Sequence, residues 1–245
     1  AIKGGNNGEP HNHNDVGSFL YFIGEEEIIS DLGAGEYTKA YFGPERYSVL
    51  CCSSRGHSVP ILDGKEQCKG ETYRADAVNY SETGEISISF AGAYEKESRK
   101  KLIRTAVFCR ETGELQIKDC LKTAPLDNGF TENLVTRQNV SREKDRIRIG
   151  DRGTLKIDGV SPEKIQIIPC IHRDHQGKME TVFNGKLTEK KISGEADLYF
   201  ARNNTKAPDV VRRKIFSEAA LRYENRAKDC ANEFTICTVF CFIRC

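Results

Sequence analysis

The segment Asn7-Gly8-Glu9-Pro10-His11-Asn12-His13-Asn14-Asp15-Val16-Gly17-Ser18-Phe19 gathers two histidines, three asparagines and an aspartate just ahead of an apolar run. Folding rarely requires such a density of titratable and amide side chains. Imidazole exchanges protons near neutral pH and is a common metal ligand. If the segment is extended, the two-residue side-chain period puts His11, His13 and Asp15 on one face and Asn12 and Asn14 on the other.

Two further residues could join this set. The run Phe19–Ile23 meets a turn signal at Gly24-Glu25 and returns as Ile28-Ile29-Ser30-Asp31, a hairpin that brings Asp31 back toward the start of the first strand. A two-residue loop pairs Asp31 with Ser18; a three-residue loop pairs it with Phe19, on the same face as His13. A shared metal favours the second register. His57 follows a strand-like run, Tyr47–Ser53, in Ser54-Arg55-Gly56-His57-Ser58. Two histidines and one aspartate from three separated segments make a donor set suited to Zn²⁺ or another divalent ion, with a fourth position open. No compact zinc signature such as HExxH occurs, so the set depends on folding to assemble it.

The elements that must position these residues read as strands. Apolar runs rich in Ile, Val, Phe and Tyr recur at Phe19–Ile23, Ile86–Phe90, Leu102–Phe108, Ile165–Pro169 and Thr235–Ile243. Turn signals at Gly24-Glu25, Asp63-Gly64, Glu111–Glu114, Gly150–Gly153 and Asp158-Gly159 predict hairpins at all five. Helical periodicity is confined to Glu218–Ala227 and a short turn within Glu36–Tyr47. The expected fold is all-β, a large antiparallel β-sandwich of stacked sheets with little helix, forming one domain over residues 1–245. Residues 1–70 carry the chemistry.

Composition narrows the function classes. With 37 basic and 36 acidic residues the formal charge is +1, which gives no field for holding nucleic acid. The longest apolar stretch is interrupted by Thr and Cys and falls short of a membrane span. Ten cysteines without CxxC spacing, several inside apolar runs, favour a reducing cytoplasmic compartment. A periplasmic or secreted location fits if the native N-terminus lies upstream, and the start at Ala1-Ile2-Lys3 reads as the interior of a longer chain.

Three ordered blocks, Lys3–Phe19, Asp31–Thr38 and His57–Gln67, resemble the heparinase II/III family of polysaccharide lyases. The resemblance implies a C-terminal β-sandwich whose parent adds an N-terminal helical toroid, with an acidic polysaccharide or oligosaccharide bound between the two. It implies cleavage of uronic-acid-containing chains, glycosaminoglycan-like or alginate-like, by β-elimination. It makes His11 the catalytic histidine and His13, Asp31 and His57 the metal ligands. Tyr37, on the loop after Gly35, is a catalytic candidate; Asn12, Asn14 and Arg55 are substrate-binding candidates. The resemblance also implies catalytic groups on the helical domain, so the isolated chain is expected to be inactive.

Plainer readings stand beside these. The histidines and asparagines could satisfy backbone groups in a polar loop, Asp31 could be a turn residue before Gly33, and Tyr37 an edge tyrosine. His172 and His175 read as exposed loop, and the charge runs Glu95–Lys101 and Arg142–Arg148 as solvated strand ends. The alternative function is a non-catalytic carbohydrate-binding or structural sandwich that keeps its metal for stability.

Overall fold

The computed structural model describes residues 1–95, 99–123, 126–157, 161–189, 196–202 and 235–240. Residues 196–202 and 235–240 are described as backbone only. In chain order the strands are β1 (Asn6–Asn7), β2 (Tyr21–Ile23), β3 (Glu26–Ile29), β4 (Ile61–Leu62), β5 (Gly70–Arg74), β6 (Ala77–Tyr80), β7 (Glu85–Ser89), β8 (Arg99–Phe108) and β9 (Leu115–Thr123). They continue with β10 (Phe130–Thr136), β11 (Val140–Arg142), β12 (Ile147–Ile149), β13 (Gly153–Ile157), β14 (Gln166–Arg173), β15 (Met179–Glu189), β16 (Ala196–Arg202) and β17 (Thr235–Phe240). Among the described residues the helix is α1 (Lys39–Phe42), where Thr38 caps the Tyr41 N–H, with short 3-10 turns elsewhere. The fold is all-β.

A nine-stranded sheet runs β11-β12-β13-β16-β17-β9-β8-β7-β6, and a four-stranded sheet runs β14-β15-β10-β4. Pairings are antiparallel except β16 with β17. Side chains from both sheets meet in one core: Ala106, Leu115, Ile117, Ile147 and Leu155 from the larger, Leu134 and Leu187 from the smaller. Ile23, Ile28 and Ile29 of the β2–β3 hairpin are wedged into the same core, which fixes the segment that leads into Asp31. No described helix is long and apolar enough to cross a membrane.

The expected turns at Gly24-Glu25, Asp63-Gly64, Glu111–Glu114 and Gly150–Gly153 all reverse the chain. Asp63 and Gly64 both have positive φ (54° and 75°), the conformation a primed two-residue turn requires. The turn at Asp158-Gly159 and the helix over Glu218–Ala227 lie outside the described residues. Three expectations are corrected. Residues 47–53 are consecutive 3-10 turns, Arg46–Ser48 and Leu50–Cys52, because the apolar side chains of this run all go to one small core with Leu32, Tyr41 and Val135. The motif around His11 and His13 is a series of turns and not an extended strand, so the alternating faces do not apply. His172 is a buried residue of β14, beside Glu180 on β15, whereas His175 is exposed in the following turn.

Candidate metal centre and active site

Three chain segments converge at the edge of the four-stranded sheet. The hairpin β2–β3 has the two-residue loop, pairing Ile23 with Glu26, but a bulge shifts the register so that Tyr21 faces Ile29. Continued past the bulge, the shifted register sets Asp31 opposite Phe19, which a plain two-residue loop would not do. Asp31 then folds back on itself: its Oδ1 accepts the Gly33 N–H at 2.7 Å, and Gly33 takes positive φ to allow it. Oδ2 is left facing the Nδ1 of His57 at 3.4 Å.

His57 reaches this position through the 3-10 turn Ser54–Gly56, which coils tightly over Leu50 and Cys51. A Cβ on Gly56 would stand 2.2 Å from the Leu50 carbonyl oxygen, so the turn admits glycine only. The imidazole is fully buried, and its Nε2 lies 2.7 Å from the Cys51 carbonyl. A carbonyl only accepts, so Nε2 carries a proton, and Nδ1 is the ring atom turned toward the Asp31 and Asp15 carboxylates. Nδ1 is buried without a hydrogen-bond partner. It sits between Asp31 and Asp15, whose Oδ2 is 4.0 Å away, and is the ring atom that a cation shared with Asp31 would meet.

His13 completes the group: one ligand atom each from His13, Asp31 and His57 lie within 4.8 Å of one another, and the two imidazole rings are 5.1 Å apart. The donors are two nitrogens and a carboxylate oxygen, a set that fits a divalent ion. The local field asks for positive charge. Burial alone would raise the Asp31 carboxyl, yet the His57 imidazole, the Gly33 N–H and His13 hold it well below the ordinary carboxylate range. Burial would lower His57, but Asp31 and Asp15 together raise it. Asp15 itself is paired with Lys3 at 2.5 Å, and a cleft of about 310 Å³ opens beside Lys3, Asp15, Ser18 and Asp31.

The other motif residues take different places. His11 is exposed and holds φ 59°, a conformation that costs a non-glycine residue free energy and concentrates at functional sites. Asn12 is tied into the framework: its Nδ2 donates to the Asn7 carbonyl, and its Oδ1 accepts from Tyr47. Asn14 is buried, with Nδ2 donating to the Gln67 carbonyl and Oδ1 unpartnered. Arg55 is half-exposed and paired with Glu66 at 2.9 Å. Tyr37 is exposed, its ring packed against Tyr41 and Phe42.

Several supporting residues carry no chemical signature of their own. Gln67 grips Val16 through both its amide atoms, which fixes the turn after His13 and Asp15. Arg104, fully buried, donates to the carbonyls of Gly17 and Ser58, so one guanidinium joins the histidine motif to the His57 segment. Arg137 donates to the carbonyls of Asp31 and Leu32, and Asn133 to that of His57. Gln67 lies in the third motif block; Arg104 and Asn133 gave no signal, being single polar residues within strands, nor did Arg137 in the bend after β10.

Comparison with known proteins bears on this arrangement. The family model described as "Heparinase II/III-like, C-terminal" matches residues 2–226. Two solved structures described as "Heparinase III-BT4657 gene product", one with methylated lysines, match with TM-scores of 0.58 and 0.56 at 16% and 14% identity. Each likeness covers 80% of this chain, and the chain spans only 31% and 30% of those structures. At such identity the likeness is one of fold. A search of curated proteins finds none that matches.

Proposed function

The chain belongs to the heparinase II/III-like, C-terminal family, and from that premise we propose that it is the β-sandwich part of a polysaccharide lyase. The substrate class is an uronic-acid-containing polysaccharide, glycosaminoglycan-like or alginate-like, and the reaction is β-elimination. A base removes the proton α to the uronate carboxyl, the bond to the glycosidic oxygen breaks, and an acid protonates the departing oxygen. The observation that carries the reading is the convergence of His13, Asp31 and His57 on one centre, with the exposed, strained His11 two residues before His13 in the chain.

His11 is the proton-transferring group supplied by this chain. Exposure lets it reach a sugar, and its fixed backbone limits where the imidazole can go. Positioned acid/base groups contribute typically 10²–10⁴-fold in rate. Tyr37 and Arg55, both at the surface, are assigned to the cleft wall, with Arg55 suited to the uronate carboxylate. Asn12 borders the His11 turn, and Asn14 acts on substrate only through the loop it supports.

His13, Asp31 and His57 would hold a divalent ion, Zn²⁺ being the match for two imidazoles, one carboxylate and an open fourth position. When bound, the ion would tie three distant segments together and offset the Asp31 carboxylate. The cleft's other wall, and a second proton-transfer group, belong to an N-terminal helical domain of the parent. The test is to assay the full-length parent against a panel of uronans, following the ultraviolet absorbance of the unsaturated product. Absence of product on every uronan, with intact folding and bound metal, favours a non-catalytic carbohydrate-binding sandwich instead.

A further inference from the structure

Cys51 and Cys52 lie next to His13, and the proposed lyase chemistry uses neither. Both thiols are buried, with their sulfurs 4.0 Å apart. One Sγ from each and a ring nitrogen of His13 lie within 4.8 Å of one another. In a strand, adjacent side chains point to opposite faces. The 3-10 turn Leu50–Cys52, with about three residues per turn, instead lets neighbouring sulfurs share one side. Two thiolates on one tetrahedral ion, at bonds of about 2.3 Å, stand roughly 3.8 Å apart. The pair is already at that spacing.

We propose that His13, Cys51 and Cys52 form a second cation site, one that takes a thiophilic divalent ion and shares His13 with the set made by Asp31 and His57. Neutral imidazole has a single lone pair for a metal, its other nitrogen carrying the proton. The two donor sets therefore compete for His13, and an ion on the sulfurs withdraws a ligand from the other set. Charge separates their preferences. Two thiolates and a neutral imidazole cancel a divalent ion's charge, which suits the apolar surroundings of Leu32, Tyr41, Val135 and Val182. Gly35 leaves the Cys51 sulfur its space, since a Cβ there would stand 2.7 Å from it. Each thiol releases its proton to solvent as its bond to the ion forms, and nothing is oxidised. The inference rests on the donor geometry around His13 and stands apart from the lyase reading.

Titration with Co²⁺ tests it, using the reduced full-length protein freed of metal by chelation and kept anaerobic. Thiolate ligation gives a strong near-ultraviolet charge-transfer band that nitrogen and oxygen donors do not. We expect that band to grow with Co²⁺, to survive Asp31→Asn, to fall to about half or less in Cys51→Ser and in Cys52→Ser, and to be lost in the double variant. Visible absorption without the near-ultraviolet band overturns the inference while leaving the His13–Asp31–His57 set intact. A band that persists at full strength in the folded double serine variant overturns it too. Should the variants fail to fold, cadmium NMR of the unsubstituted protein decides: a resonance in the thiolate region supports the shared site, and one confined to the nitrogen and oxygen region overturns it.

Discussion

His57 and Asp31 divide their polar atoms in the same way: one is fixed by main chain, and the other is turned toward the common centre. His57 anchors Nε2 on the Cys51 carbonyl, and Asp31 anchors Oδ1 on the Gly33 N–H. Because the anchors are backbone groups, side-chain replacement acts on the ligand itself. His57→Ala should abolish retention of a divalent ion through dialysis, read by metal analysis. It should also lower the unfolding temperature, since an ion held at 100 times its Kd adds about 2.7 kcal/mol to stability. At roughly 2–4 °C per kcal/mol for a chain of this size, the expected loss is about 5–10 °C. His11→Ala, by contrast, should leave both metal content and melting unchanged, because His11 is exposed and outside the donor set.

At the scale of elements, small departures from regular structure aim the ligands. The hairpin bulge re-registers Asp31, and the glycine-bearing 3-10 turn delivers His57. Gly56→Ala should therefore act like a site mutation. A Cβ against the Leu50 carbonyl forces the backbone apart, with an expected cost of about 1–3 kcal/mol in urea unfolding and a loss of metal affinity. β2, β7, β8, β14 and β17 were legible from their apolar runs, and the hairpin at Asp63-Gly64 from turn chemistry alone, because both depend on local preference. The bulge was not, since nothing in Tyr21–Ile29 marks which residue is left unpaired. Residues 47–53 misled for a related reason: a run of apolar residues buried all on one side in 3-10 turns has the composition of a strand. The three ligands were named from motif blocks, but Gln67, Arg104, Arg137 and Asn133, which hold the blocks together, are ordinary polar residues until folding brings carbonyls within their reach.

For the molecule as a whole, the buried centre of charge is Arg104. It makes paired hydrogen bonds to Asp119 at 2.8 and 2.6 Å and a further one to Glu132 at 2.9 Å, all three residues being almost wholly buried. One cation faces two acids. Burial, with the neighbouring Asp119 charge, outweighs Arg104 and raises Glu132 well above the ordinary carboxyl range. The folded state thus keeps a proton that the unfolded chain releases, so this contribution is complete below about pH 4.3 and fades as pH rises toward the folded value. Glu132→Gln, which imitates the protonated acid, should flatten the decline in stability as pH rises from about 4.3; an unchanged slope in melts above that pH would count against a protonated Glu132. Arg104→Leu should cost about 3–5 kcal/mol, because it strands Asp119 in the core and frees the carbonyls that join the two ligand segments. In the proposed reading, a metal-braced sandwich presents His11 to a uronan in the full-length parent. This role is tested most directly by turnover of full-length His11→Ala against the unsubstituted parent, on whichever uronan the parent cleaves, with metal content and melting measured alongside. We expect a fall of about 10²–10⁴-fold with metal and melting preserved. Turnover equal to the parent's, in a folded and metal-bound variant, would contradict it.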